Sequence, residues 1–386
     1  SRLEKLPPEA AGMLAVVLPG GQRIGPDSAD VTLRLHGLLA LRHLAGGKIG
    51  RLASEYVEGR LDIEGTMRRV VAVAAALLDE DPTNAPGQPL RRSIASHLKH
   101  TPAADARQIQ HHYDVSDDFY ALWLDERRVY SCAYWHEGVQ TLAEAQRAKL
   151  DLVCRKLRLQ PGDRLLDFGC GWGALVCWAA RHHGVRAHGI TLSQRQLEYA
   201  RERIRNEGLQ DLVTVELRDY RDLDGVAVYD KVSSVGMFEH VGLANLPAYY
   251  AAVQHVLRPG GLFLNHGITH DEEGWNRTVA TEFINRYVFP DGELDCVSNI
   301  QLGMERAGFE IHDVEGLRPH YALTLRHWVQ RLEARRDEAL REVDEPSYRV
   351  WRLYMAACAL EFESGGTGIY QIVASKRNGG AWPVPL

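Results

Sequence analysis

The stretch RLLDFGCGWGALV, residues 164–176, constrains the fold of this chain more than any other. A short apolar run reads as a buried strand, and Gly169, Gly171 and Gly173 follow at every second position before a helical pattern begins. Such a turn lets a ligand approach the backbone with no side chain in the way. Further short apolar runs, VRAHGITL, LVTVELRD, DKVSSVGM and GLFLNHG, come after it, separated by helical stretches. Strand alternating with helix five times predicts an α/β chain with a mostly parallel sheet covered by helices on both faces. A late run, IYQIVASKR, can close that sheet.

At 386 residues the chain is long enough for one sizeable core and one smaller unit. Its formal net charge of -6 gives no global reason to expect nucleic acid as a partner, so partners are sought in local patches. The six cysteines, at 132, 154, 170, 177, 296 and 358, form no CxxC pair and show no metal-ligand spacing, which suits a reduced, cytoplasmic setting without a metal. The opening SRLEKLPPEA lacks the basic and then apolar pattern of a signal peptide, and Ser1 reads as the start of a trimmed chain. The longest apolar run, VVAVAAALL at 70–78, is too short to span a bilayer, so a membrane would be met from the side.

Punctuation along the chain divides it. The run DEDPTNAPGQP at 79–89 is a Pro-rich break, which sets off a small α+β domain over residues 1–90. Residues 91–140 read as a linking segment and cover for the site, and residues 141–386 as the main domain. Within the link, 91–112 collects Arg91, Arg92, Lys99 and Arg107 with four histidines and one acid, Asp105. This local excess either faces anionic lipid headgroups or is a solvated linking helix. The main domain opens on a helix at 141–163, where Thr141 and Glu144 have capping-box spacing and Pro161 and Gly162 supply the stop.

A Gly-rich turn after the first strand is shared by dinucleotide enzymes and methyltransferases. Three features favour S-adenosylmethionine over a nicotinamide cofactor. Asp167, just before the turn, can receive an ammonium group; Trp172 sits inside the turn; and the second strand ends in GITLSQRQ without the acid that GxGxxG enzymes place there. Asp219, after the third strand, is placed for an adenine amino group, with Tyr220 for the ring. The alternative is that the glycines merely pack helix on strand. The fold class expected is therefore α/β, a Rossmann-like class I methyltransferase with a mostly parallel seven-stranded sheet, plus the small N-terminal domain.

Several longer motifs carry a resemblance. HHYDVSDDFYALWLDERRVYSCAYW at 111–135, LLDFGCGWG, GITLSQRQ, GMFEHVG at 236–242 and RPHYALTLRHW at 318–328 occur in order, and together the chain resembles the cyclopropane fatty acid synthase family from about residue 30 to 377. SEYVEGRLDIEG, at 54–65, is similar to the lipid-associated N-terminal part of that family. The resemblance implies transfer of a methylene unit from S-adenosylmethionine to a cis double bond of a phospholipid acyl chain, with bound bicarbonate as the base. It further implies a homodimer acting peripherally on a phospholipid bilayer at the inner face of the cell membrane.

The matching positions for the bicarbonate ion are Cys132, Glu239, His266, the Ile268 backbone and Tyr321. His266 and Tyr321 can donate to an anion, and Glu239 can share its proton. Taken singly, His266 also reads as a satisfied core histidine, Glu239 as a helix-start carboxylate and Cys132 as a small buried hydrophobe. Cys358 matches a cysteine considered as a nucleophile in the family, although its Ala-rich surroundings suit inert packing. For S-adenosylmethionine the family pattern adds Tyr130 and Ser131 near the methionine end, and Thr191, Ser193 and Gln196 near the ribose.

The chemistry asks little else of the side chains. An alkene is a weak nucleophile and a sulfonium methyl a strong electrophile, so holding both in line and dry is most of the task. Ring closure then needs only a weak base close to a very acidic cation. An acyl-chain lid is expected over about 270–345, with Phe283, Ile284, Tyr287 and Val288 lining a tunnel, or else packing a core. The competing functions are a lipid methyltransferase making branched or methylene-bearing chains, a small-molecule methyltransferase, and a non-catalytic lipid-binding protein.

Overall fold

A computed structural model of the chain describes residues 13–78, 116–270, 278–289 and 293–380, which divide into two compact units. The larger unit takes in 92–275, 291–321 and 367–386. The smaller joins residues 1–91 to two later segments, 276–290 and 322–366. It is thus discontinuous, where a linear reading divides the chain near residue 90.

In the small unit β1 (Leu14–Val17), β2 (Arg23–Ile24), β3 (Val31–Leu35) and β4 (Leu61–Glu64) form a sheet in the order β2-β1-β3-β4. The helices Ile49–Val57 and Met67–Leu78 pack against the long helix Glu345–Ser364. Two arginines of that long helix explain why so late a segment belongs here. Arg349 donates to Tyr56 O at 2.8 Å and to Asp62 Oδ1 at 2.6 Å, and Arg352 to Tyr56 Oη at 2.9 Å and Glu333 Oε1 at 2.8 Å. Charge-assisted bonds of this kind fix register as well as adding energy.

The large unit is built on seven strands in the order β10-β11-β9-β8-β5-β6-β7: β5 (Arg164–Phe168), β6 (Arg186–Thr191), β7 (Val213–Leu217), β8 (Tyr229–Val235), β9 (Leu257–His270), β10 (Phe309–Gly316) and β11 (Thr367–Lys376). β7, β6, β5, β8 and β9 run parallel, and β11 and β10 add antiparallel. The parallel strands β5 to β9 are those that the alternation of strand and helix implies, β11 is the late closing run, and the total of seven is that of the expected fold class. β10 had no clear signal of its own, because its pattern FEIHDVEG is polar and mostly half-buried or exposed.

Apolar side chains cover both faces. Val153, Leu165, Val176, Leu197 and Leu264 belong to one cluster, and Leu166, Phe168, Tyr249, Phe263 and Met304 to the other. Successive residues Leu165 and Leu166 point to opposite faces, as the two-residue period of a strand requires. The helix Leu142–Lys156 begins with the expected capping box, Thr141 and Glu144 bonding each other's backbone. Among the described residues no helix is long and apolar enough to cross a membrane.

Candidate active site

The Gly turn joins β5 to the helix Ala174–His183, and Gly169, Gly171 and Gly173 all take left-handed φ, at +72°, +54° and +79°. Space adds to the demand at two of them. A Cβ on Gly169 would lie 3.2 Å from Met237 Cγ, and one on Gly173 3.0 Å from Ala200 Cβ. Side chains from elsewhere steady the turn: Trp172 Nε1 donates to Asp117 Oδ1 at 2.8 Å, and Arg203 Nη1 donates to Trp172 O at 2.8 Å.

A cleft opens at this carboxyl end of the strands, where ligands of open α/β sheets bind. Tyr130, Ser131, Asp167, Gly169, Gly171, Thr191, Gln196 and Tyr220 line it. Gly173, Ser193 and Asp219 stand behind the wall, each with a local task. Gly173 caps the Ala174–His183 helix. Ser193 caps the helix Gln194–Asn206 by accepting from Gln196 N at 3.3 Å. The Asp219 carboxylate accepts from Arg221 N at 2.9 Å and Nη2 at 2.6 Å, so Arg221 reaches the cleft in its stead. Tyr220 lies against Phe168, ring centroids 6.1 Å apart, as a surface for an aromatic ring.

Asp167 is 4% exposed and accepts from Ser233 Oγ at 2.6 Å; burial raises its carboxyl to about 7. Two lining or supporting groups escaped the sequence reading. Gln146 and Lys149, three residues apart on the helix Leu142–Lys156, face inward: Gln146 Nε2 donates to Ser131 O at 2.9 Å and Lys149 Nζ to Ser131 Oγ at 3.0 Å. The available signal was two polar residues at positions of that helix which its period assigns to the core, beside Leu142, Ala145 and Leu150.

The five positions matched to the bicarbonate ion all fall in the large unit and are linked through the ends of β9 and β11. Glu239, in the short turn Phe238–His240, accepts from Ile268 N through Oε1 at 2.8 Å. Burial raises its carboxyl to about 7, while Oε2 is buried and has no hydrogen-bond partner among the described residues. His266, on β9, is buried to 1% exposure and lowered by burial to about 3, hence neutral; its Nε2 likewise has no partner there. Cys132 Sγ lies 3.9 Å from Leu317 O, the same carbonyl that accepts from Tyr321 N at 3.1 Å. Leu317 N in turn donates to Ile369 O at 2.8 Å, and Ile369 pairs with Ile268 across the sheet. Burial pushes the Cys132 thiol well up, so it is present as the neutral SH.

Orphaned buried polar atoms are rare because each forfeits its solvation. A neutral imidazole with an unpaired Nε2 and a carboxyl near neutrality with an unpaired oxygen fit a small, proton-sharing oxyanion such as bicarbonate. Gln371 is a further member that the sequence reading passed over. It stands opposite His266 in the β9–β11 register, and its Nε2 is 3.1 Å from His266 Nδ1. The signal was a polar residue inside the apolar run IYQIVASK.

Cys358 belongs to the other unit, on the helix Glu345–Ser364, and burial with the nearby Glu361 raises its thiol far above the ordinary range. Among the described residues no cationic group lowers it, in keeping with the packing alternative. Phe283, Ile284, Tyr287 and Val288 lie on or just after the helix Val279–Tyr287, which packs within the small unit against the helices Ile49–Val57 and Glu345–Ser364. Val288 is buried and the other three half-buried. The basic residues Arg91, Arg92, Lys99 and Arg107 lie outside the described residues.

Residues 100–372 match the family model described as mycolic acid cyclopropane synthetase. The chain is 46% identical, over 92% of its length and 89% of the relative's, to a probable fatty acid methyltransferase of Pseudomonas putida. It is 39% identical to the cyclopropane-fatty-acyl-phospholipid synthase of Escherichia coli K12, over 69% of this chain and 66% of that one. The solved mycolic acid cyclopropane synthase CmaA1, complexed with SAH and CTAB, superposes with a TM-score of 0.66 at 33% identity, covering 70% of this chain and 98% of that one. With a glycine turn and cleft at the carboxyl ends of a seven-stranded sheet, and a match spanning most of its length, the chain belongs to the cyclopropane synthase family of S-adenosylmethionine-dependent methyltransferases.

Proposed function

We propose that this methyltransferase converts the cis double bond of a phospholipid acyl chain into a cyclopropane ring. The observation that carries the reading is the pair of buried atoms without a partner among the described residues, Glu239 Oε2 and His266 Nε2, with Glu239 between the cleft-lining Met237 and His240. In the reaction the alkene π electrons form a bond to the methyl carbon of S-adenosylmethionine as the sulfonium–methyl bond breaks, leaving S-adenosylhomocysteine and a cation. Loss of one proton from the transferred methyl, with its C–H electrons closing the ring, completes the product.

Bicarbonate bound among Cys132, Glu239, His266, Ile268 and Tyr321 would supply the weak base for that proton. The chain's own contribution is placement. Ile268 N fixes one Glu239 oxygen and leaves the other for the ion, and the neutral His266 offers a donor without a competing positive charge. A carboxyl near 7 can hold or release a proton at little cost around neutral pH. The buried Tyr120, Trp123 and Trp172 and the half-buried Tyr130, with ring centroids 5.2 to 5.7 Å apart, keep water from this side of the cleft.

A bilayer as the substrate-bearing surface is supported by the small unit. Leu38 and Leu39, 76% and 50% exposed, open the helix Leu38–Ala45, and Arg42, Lys48 and Arg51 are exposed beside them in sequence. Apolar side chains among basic ones suit an anionic headgroup layer. The peripheral, inner-face location and the homodimer belong to the same proposal.

Incubation with S-adenosylmethionine and cis-unsaturated phospholipid vesicles, followed by nuclear magnetic resonance of the recovered lipid, tests the function. Upfield ring-proton signals are expected. An added carbon without them would establish instead a branched or methylene-bearing product. Acyl chains left unchanged while both ligands bind would defeat both.

A further inference from the structure

Lys149 is 3% exposed, yet it lines the cleft together with Asp167 and the glycine turn. Its ammonium has three protons to place, and one reaches Ser131 Oγ at 3.0 Å. Across the same cleft wall Asp167 has the opposite requirement, and it too hydrogen-bonds a serine, Ser233. Each charge acts on the other through space. Burial lowers Lys149 to about 8 and raises Asp167 to about 7, so both are held in the cleft at a cost in solvation. Core packing does not account for a lysine and an aspartate that both line a ligand cleft while almost fully buried.

An α-amino-acid zwitterion is the complement of such a pair, ammonium for carboxylate and carboxylate for ammonium. The strand order places the two ends of the ligand. Asp167 is the penultimate residue of β5, whereas Tyr220 follows β7, two strands further along the sheet and so roughly 10 Å away. An extended nucleoside with its base at Tyr220 would bring its amino-acid tail to β5.

We propose that Lys149 receives the α-carboxylate of S-adenosylmethionine while Asp167 receives its α-ammonium, the two forming one receptor for the methionine end of the co-substrate. The inference rests on the S-adenosylmethionine dependence of the family and adds Lys149 as a binding residue. It also gives Gln146 a purpose, since its bond to Ser131 O holds the hydroxyl that orients the ammonium.

Calorimetric titration of wild type and Lys149→Met with three ligands tests it: S-adenosylhomocysteine, its decarboxylated analogue, and 5'-methylthioadenosine, which lacks both charged groups. Wild type is expected to prefer S-adenosylhomocysteine over the decarboxylated analogue. In Lys149→Met, S-adenosylhomocysteine should weaken by about 10- to 100-fold, the loss of one charged hydrogen bond, while the other two ligands change by less than about threefold. Ser131→Ala, which keeps the charge, should retain the preference for the carboxylated ligand.

Equal weakening of all three ligands by Lys149→Met would mean that the lysine only braces the cleft wall, and undiminished S-adenosylhomocysteine binding would remove it from the site; either result overturns the proposal. Unaltered binding of 5'-methylthioadenosine certifies that the variant is folded. A wild type that binds none of the three would instead refute the co-substrate reading itself.

Discussion

Gln371 faces His266 directly across the antiparallel pair of β11 and β9, with its amide nitrogen 3.1 Å from the imidazole Nδ1. An amide nitrogen only donates, so with the amide in this orientation Nδ1 accepts and the ring proton resides on Nε2, the atom without a partner among the described residues. The strand pairing thus selects the tautomer that presents a donor to an anion. Gln371→Leu should lower turnover by about tenfold or more, the scale of one buried hydrogen bond, and raise the bicarbonate concentration needed for half-maximal rate. S-adenosylhomocysteine affinity should stay within about threefold. If the bicarbonate dependence does not move, Gln371 is a packing residue.

Glu239→Gln keeps the shape and the acceptor for Ile268 N but removes the proton exchange. Turnover should fall on the order of 100-fold with cofactor affinity little changed. Stability should move the other way. A carboxyl at about 7 in the fold, against an ordinary 4.5, binds its proton more tightly folded than unfolded, so the folded state loses stability as pH rises from 4.5 to 7. The variant escapes that loss. Thermal melts of the ligand-free protein should therefore show Glu239→Gln stabilised over wild type at pH 8, by at most ~3 kcal/mol, with the difference shrinking toward pH 4.5. A gain independent of pH would detach it from this carboxyl.

Gly267 separates His266 from Ile268, and its lack of a side chain is required by contact: a Cβ there would overlap the Phe238 ring. Gly267→Ala must push away the turn that carries Glu239. A destabilisation of about 1–3 kcal/mol is expected, together with a loss of turnover larger than that of S-adenosylhomocysteine binding. Melting and binding measurements on the one variant would reveal whether the turn moves or the fold fails.

Membrane contact should respond to two separate changes. Replacing Leu38 and Leu39 by Ser should weaken binding to both anionic and neutral vesicles, because apolar burial does not depend on headgroup charge. Neutralising Arg91, Arg92 and Lys99 should weaken binding to anionic vesicles alone, by about 1 kcal/mol per residue at low salt. Vesicle sedimentation measures both. Unchanged binding after the leucine replacements would free that helix for another role.

The core of the fold could be read from local pattern. The strands β5 to β9 and β11 are apolar runs between helical stretches, and the glycine turn marks the ligand end of the sheet without any knowledge of distant contacts. β10 was not legible in this way, because an outer strand paired on one side only carries little of the apolar signal. The same limit hid Gln146, Lys149 and Gln371. Each is a polar residue in an otherwise core-facing pattern, and what it does depends on a partner contributed by another segment.

By itself, the sequence determined the α/β class, the place of the cofactor turn and, through long motifs in order, the residues proposed for the ion site. Tertiary structure alone decided that Asp219 is engaged by Arg221, that Cys358 belongs with the small unit, and that late helices complete a domain begun before residue 91. It also decided which nitrogen of His266 meets Gln371 and which has no partner among the described residues. The physical reason is the range of the forces concerned. Hydrophobic period and turn chemistry act between near neighbours in the chain, whereas hydrogen-bond partnership, burial and ionisation are set by whichever groups the folded chain brings together.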